Sequence, residues 1–362
     1  MSAASMKAAE PRRQFGTMPD GSPVDIVEIT NGRGMRASVI TLGAGLQALT
    51  APDRAGRFAD IILGHDNVAP YVETPFYLGA SIGRFSNRIA NGAFMLDGKR
   101  YELVKSDGPH TLHGGAYGYD KVVWRIERLE PSSVTLVHAS PDGEQGFPGA
   151  LEARVTYELT DENELNVTYQ ARTDAPTYVG LTQHSYFNLS GADSGRTILA
   201  HRLTVAADAF TPVDAGLIPT SEIRQVAGTP FDFRQPKQIG THLRDGRDEQ
   251  LRRGRGYDHN FVLRGGPARD PKFAARLEDP VSGRVLEIHT TEPGLQFYSG
   301  NFLDGRLIGK GGISYRQSDG LCLEPQQFPD APNQPGFPSA RLNPGETYAH
   351  VSVYRFSTSP IS

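Results

Sequence analysis

The chain has 362 residues, with 37 Lys and Arg against 41 Asp and Glu and a formal net charge of −4. That balance lacks the basic footprint of a nucleic-acid binder, and the single cysteine, Cys322, excludes an intramolecular disulfide and a cysteine-based zinc finger. Its 40 glycines and 26 prolines exceed average usage of about 7% and 5%, which implies frequent turning without a collagen period or a disordered composition.

Met1 to Gln14 are small, polar and charged and lack the apolar stretch of a signal peptide. Residues 1–13 read as a poorly ordered N-terminal extension, and no apolar run reaches membrane-spanning length. A soluble, cytoplasmic protein is expected. Gly43 to Ala48 fits a loose dinucleotide fingerprint, but Pro52 and Gly56 follow where a helix is needed, so a turn between strands is expected. Phe94 to Tyr101 places Asp97-Gly98 between two short strand patterns, a hairpin signal. Val155, Tyr157 and Leu159 share one face, and Leu165, Val167, Tyr169 and Ala171 resume the alternation after Asp161-Glu162-Asn163, which reads as a half-buried hairpin.

Helical periodicity is scarce. The best candidate, Gln238 to Leu251, is short and carries Gly240 and Gly246, and Arg252, Arg253 and Arg255 read as a solvated loop. Pro280 to Gly283 turns the chain before a strand at Val285 to Ile288, and His350 to Phe356 alternates again. Gly305 to Gly311 has neither the spacing nor the Ser or Thr of a phosphate loop. Without repeats, linkers or a composition break, the chain reads as one all-β domain over 1–362. The expected architecture is a large, mostly antiparallel β-sandwich with few short helices.

Five polar clusters can carry chemistry. Arg84, Asn87 and Arg88 can donate to hydroxyls or anions, or serve as ion-paired structural groups. His113 is followed by Gly114-Gly115, which let the backbone approach a ligand or simply turn. His184 sits among aromatics and amides, as a tuned acid–base or a hydrogen-bonded core histidine. Asp258 can accept from sugar hydroxyls or close an Asx-type turn. In Leu321–Leu323 read as strand, Cys322 and Glu324 share a face. A carboxylate ending such an apolar strand is either salt-bridged or a tuned base.

Taken together the clusters resemble the aldose 1-epimerase (galactose mutarotase) family. The resemblance runs in order from about Gly16 to Phe356, through segments 79–89, 112–115, 184–189, 257–261, 296–301 and 324–333. It implies a β-sandwich with an open sugar cleft and interconversion of the α and β anomers of free aldoses, with no cofactor and no metal. It assigns the general base to Glu324 and the general acid to His184. Sugar contacts map onto Asn87, Arg88, His113, Tyr186, Asp258 and Gln296, with Arg84 and Phe297 as further lining residues. Pro325 departs from the family pattern, in which a small polar residue follows the glutamate. The implied partner is a monosaccharide, with no nucleic acid or membrane, and the chain reads as a monomer or weak homodimer. The pair predicts an acid limb from Glu324 and an alkaline limb from His184. Rival readings are a non-catalytic carbohydrate sensor, a hexose-6-phosphate epimerase, and a glycosidase built on Asp258 and Glu324.

Overall fold

Alternating burial builds the largest sheet. Every second residue from Leu151 to Leu159 and from Leu165 to Ala171 is buried, and the strands Leu151–Leu159 and Glu164–Thr173 pair in unbroken register from Leu151↔Thr173 to Leu159↔Leu165. The computed structural model describes residues 11–74 and 76–360. This hairpin lies inside a nine-stranded antiparallel sheet, continued through Tyr348–Thr358, Arg284–Thr290 and Lys272–Glu278. A second, six-stranded sheet runs in the order Tyr186–Phe187, Leu321–Gln326, Gly294–Tyr298, Asp258–Leu263, Ala207–Thr211 and Arg224–Gln225. A five-stranded sheet over residues 12–60 extends the arrangement.

One apolar cluster joins the three sheets. Tyr157, Tyr169, Ile288 and Tyr354 of the nine-stranded sheet meet Phe261, Leu295, Phe297 and Leu323 of the six-stranded one, with Leu46 and Leu49 from the five-stranded sheet. Phe187 stacks on Tyr354 at 6.0 Å. Burying a large apolar side chain contributes about 1.5–3 kcal/mol, so this layer fixes how the sheets lie against each other.

The expected hairpins form at Ala93–Leu96 with Lys99–Glu102 and at Lys272–Glu278 with Arg284–Thr290. α-Helix is confined, among the described residues, to Ala69–Glu73 and Glu249–Gly254. The expected helix over Gln238–Leu251 is corrected: Lys237–Gln238 is strand and Ile239–Thr241 a 3₁₀ turn. The α-helix starts where Asp248 caps it, accepting from the backbone N–H groups of Gln250 at 2.8 Å and Leu251 at 3.0 Å. Arg252 and Arg253 therefore lie on a helix rather than a loop. Arg12 and Arg13, placed in the extension by sequence, open the edge strand Arg12–Thr17 and pair with Val27 and Ile26. The rest of that expectation, over residues 1–10, lies outside the described residues.

One buried polar group ties the sheets together at the turn after Arg284–Thr290. Glu292 accepts from Gln327 Nε2 at 2.7 Å, and its other oxygen lies 3.4 Å from the Tyr348 hydroxyl. Burial pushes its carboxyl up to about 8. The folded state therefore holds this proton where the unfolded chain has released it, and stability falls as pH rises through that value. Glu292→Gln, which cannot ionise, should lose less melting temperature than the wild type between pH 5 and pH 9. Parallel pH dependence of the two melting curves would contradict this role.

Candidate active site

Period-two geometry sorts the six-stranded sheet into an apolar and a polar face. Leu321, Leu323, Leu295, Phe297 and Phe261 turn into the core, while the alternate residues carry the polar groups. Register then sets them in rows. Tyr186, Cys322, Tyr298 and Asp258 follow one another across four strands, and Glu324, Gln296 and Asn260 form the next row across three. Gly294 lets the rows approach, because a Cβ there would lie 2.3 Å from Asn260 Oδ1.

His184 is brought over these rows by the chain entering the sheet. Thr182–Gln183 pairs with Ser81–Ile82, the His184 N–H donates to Ala80 O at 2.9 Å, and its carbonyl accepts from Gly79 N at 3.0 Å. His184 Nε2 then lies 3.8 Å from Glu324 Oε2. That separation is a charge contact but too long for a hydrogen bond, and Oε2 has no hydrogen-bond partner. Both residues are buried, at 5% and 2% exposure. Burial, with the nearby Asp258 carboxylate adding to it, pushes the Glu324 carboxyl well above its ordinary range. Burial brings His184 down to about 4. Desolvation is the largest cause in each group, so the pair favours its uncharged form.

The walls of the cleft come from the loops. His113 and Asn87 are locked together: the His113 N–H donates to Asn87 O at 3.0 Å, and the Asn87 N–H donates to His113 Nδ1 at 3.1 Å. With Nδ1 accepting, the His113 proton sits on Nε2. Arg88 donates from Nε to Asp107 Oδ2 at 2.7 Å, which leaves other guanidinium protons for a ligand. Asp258 Oδ1 accepts from Gln296 Nε2 at 2.7 Å, and burial raises its carboxyl. The His113 and His184 rings meet edge to face at 5.2 Å, and Tyr77 lies 4.5 Å from the former ring. The cleft spans about 510 Å³ between these groups, with Tyr298 in its floor and Phe302, Arg255 and Arg306 also lining it. A larger hollow of about 770 Å³ against residues 240–247 contains no buried acid–base pair.

Glu324, His184, Asn87, Arg88, His113, Tyr186 and Asp258 thus line one cleft. Gln296 supports it from behind, through Asp258. Two expected lining residues belong elsewhere. Arg84 is buried and directs its guanidinium at Pro148 O (2.8 Å), Gly149 O (2.7 Å) and Ser140 Oγ. Phe297 alternates out of phase with Gln296 and stacks on Tyr257 at 5.0 Å in the core. Gly114 serves loop packing, not ligand approach, since a Cβ there would lie 1.9 Å from Gly83 O. Pro325 faces away from the cleft, where its carbonyl accepts from Thr182 Oγ1 at 2.7 Å.

Sequence reasoning missed Tyr77, Asp107, Phe302 and Arg255 as cleft residues. Tyr77 lies two residues before the 79–89 segment and is the one with a usable signal. The others lie on loops whose paths no periodicity encodes.

His184, Cys322 and Glu324 are also the one His/Cys/acid trio among the described residues with ligand atoms within 4.8 Å of one another. The imidazole, however, turns Nδ1 to the Cys322 sulfur at 3.5 Å and Nε2 to Glu324. One ion takes one lone pair of a ring, so the trio forms a line of contacts rather than a chelate.

A sugar-sized cleft with an unpartnered buried carboxyl opposite an imidazole sets two titratable groups where one polar ligand can meet both. Residues 25–355 match the aldose 1-epimerase family. The chain is 46% identical to galactose mutarotase of Bos taurus over 347 residues, 96% of this chain and 98% of that one. It is 40% identical to aldose 1-epimerase of Escherichia coli over 340 residues, 93% and 96% of the two chains. The solved structure of an aldose epimerase homologue from C. elegans superposes with a TM-score of 0.85 at 35% identity, covering 92% of this chain and 99% of that chain. The chain belongs to the aldose 1-epimerase family. No helix among the described residues is long and apolar enough to cross a membrane.

The placement of Arg84 is testable. Arg84→Met orphans several buried carbonyls, each costing about 1–3 kcal/mol. Arg306→Met removes an exposed pair with Asp304 and should stay within about 0.5 kcal/mol. Denaturant midpoints measure both, and equal effects would contradict the structural role of Arg84.

Proposed function

We propose that this protein is an aldose 1-epimerase, interconverting the α and β anomers of free hexoses of the galactose and glucose type by opening and reclosing the pyranose ring. The observation that carries this reading is the Glu324–His184 pair, 3.8 Å apart and buried on the cleft floor, in a chain of this family. Once the Glu324 proton has passed to His184 Nε2, Glu324 Oε2 takes the proton of the C1 hydroxyl while His184 Nε2 gives one to the ring oxygen. The C1–O5 bond breaks, its electron pair goes to O5, and C1 becomes an aldehyde carbon. After rotation about C1–C2, the O5 hydroxyl attacks the other face. His184 then recovers its proton and Glu324 returns its own to the carbonyl oxygen. Each transfer contributes on the order of 10²–10⁴-fold.

Arg88, His113 and Asp258 orient the ring hydroxyls, which supplies a further share of the rate. In the open-chain stage Glu324 is a neutral acid and His184 a neutral imidazole. Burial favours that protonation state, so the cleft suits the pair as it stands in the open-chain stage. No step requires a redox partner. A sugar-phosphate substrate is disfavoured by the lining charges. Arg88 and Arg306 are paired to Asp107 and Asp304, which leaves Arg255 as the one lining arginine among the described residues without a carboxylate partner. The acid and the base together also favour an enzyme over a sugar sensor. The core cluster, drawn from residues 27 to 356, supports reading the chain as one domain.

Glu324→Gln should lower kcat about 10²–10⁴-fold with little change in KM, read by polarimetry on fresh α-D-galactose and α-D-glucose. A near-normal rate for this variant would overturn the assignment.

The pH profile tests the pair as a unit. Activity needs one proton shared between the two groups. Below about 4 His184 takes a second proton, and well above the ordinary carboxylate range Glu324 loses the only one. The acid limb therefore belongs to His184 and the alkaline limb to Glu324, the reverse of the expectation from unperturbed groups. Rate should hold from about pH 5 through neutrality, since His184 does not titrate near its usual 6.5 or so. An alkaline limb centred at that usual value would contradict the pairing.

A further inference from the structure

The proton-transfer cycle makes a demand on His184 that Glu324 and the sugar do not meet. Its Nε2 must alternate between bearing a proton and offering a lone pair, so in the neutral ring the remaining proton has to stay on Nδ1. A neutral imidazole left to itself distributes that proton between its nitrogens. If it settled on Nε2, the ring could not accept from the O5 hydroxyl.

The structure offers one side-chain atom for Nδ1. Cys322 Sγ lies 3.5 Å from it, and both residues are buried. Cys322 is placed there by the same register that places Glu324, two residues further along the strand and on the same face. Around the sulfur the chain is apolar: Leu63, Leu78, Leu303 and Leu307 pack in one cluster with Tyr186 and Tyr298. The other groups about the ring face elsewhere. Glu324 lies at Nε2, His113 meets the ring edge to face, and Tyr77 and Tyr186 lie against it with centroids 5.7 and 5.2 Å away. The carbonyl of His184 accepts from the Gly79 N–H and keeps a second lone pair, so the residue's own backbone favours the same Nδ1–H tautomer as the sulfur.

We propose that Cys322 is a positioning residue for the proton transfers: its sulfur accepts the Nδ1–H of His184 and so reserves Nε2 for the sugar. Sulfur is a weak, neutral acceptor. It fixes the tautomer without stabilising the imidazolium as a carboxylate in the same place would, and His184 stays willing to release its proton to O5. Burial, with Glu324 and Asp258 nearby, keeps the thiol protonated and uncharged. The inference rests on the reading of His184 as the acid that serves the ring oxygen.

Three variants and one spectrum test it. In Cys322→Ala, Nδ1 loses its partner, and kcat should fall about tenfold, the size of one net hydrogen bond, with KM unchanged. Cys322→Ser restores an acceptor and should recover most of the rate. Its harder oxygen stabilises the imidazolium more, so the acid limb should move to higher pH. Nitrogen-15 NMR of the wild type should show the neutral His184 ring protonated at Nδ1. A ring protonated at Nε2, or an alanine variant with the wild-type rate and pH profile, would overturn the role of Cys322. His184→Gln separates the two readings. If it is inactive while the alanine variant is normal, only the positioning role fails. If it retains a near-normal rate, the acid assignment fails and the inference with it.

Discussion

The strand register of the six-stranded sheet is the constraint on which the site depends. Because side chains alternate, Glu324 can face the cleft only if Leu321 and Leu323 face the core, and Asp258 only if Phe261 does. A slip of one residue would bury the carboxyls among Phe297, Leu295 and Tyr354 and expose leucines to the sugar. The apolar layer between the two large sheets penalises that slip at every position. It therefore specifies the geometry of the acid and base without touching either.

Holding two carboxyls and two imidazoles in one dry floor is unfavourable, and the molecule offsets the cost unevenly. Asp258 is bound to Gln296, Arg88 to Asp107, and His113 to the Asn87 backbone. In the proposed mechanism these groups orient the sugar, and their partners remove their freedom. Glu324 Oε2 is left without a partner. An unpaired buried oxygen costs about 1–3 kcal/mol, a sacrifice expected where a ligand completes the set. The neutral form of the pair limits the penalty further, since ionising either partner would mean a charge in a desolvated site.

Much of this was legible in the sequence. The hairpin at 151–173 follows from alternation alone, and the turn at Asp97-Gly98 from two residues whose conformations suit it. Glu324 stood out because an acid at the end of Leu-Cys-Leu is costly unless used. Arg84 and Phe297 show where the reading ends. Arg84 is a few residues from Asn87, but the loop between them turns its guanidinium onto the carbonyls of 148 and 149. Phe297 neighbours Gln296, yet adjacent strand residues point to opposite faces. The helix expected at 238–251 failed for a related reason: Gly240 and Gly246 weaken it, and Asp248 supplies the cap that fixes its true start. The pairing of His184 with Cys322 was not legible, because the partners are far apart in sequence and meet only through the fold.

The acid and base also owe their separation to the far side of the structure. His350, on the long strand of the nine-stranded sheet, has Nδ1 2.9 Å from Leu181 O, three residues before His184. Tyr348 on the same strand accepts from the Leu181 N–H at 3.1 Å, and its hydroxyl lies 3.4 Å from Glu292. Glu292 in turn accepts from Gln327, three residues beyond Glu324. One buried polar chain therefore spans from the segment carrying His184 to the strand carrying Glu324, anchored on the most extensively paired sheet. Hydrogen-bond networks in a low-dielectric interior are directional and stiff when satisfied. A gap of 3.8 Å, too long for the pair to close on itself yet short enough for both groups to reach one ring, needs that kind of support. Leaving the pair apart keeps Oε2 and Nε2 free for the proton transfers proposed above.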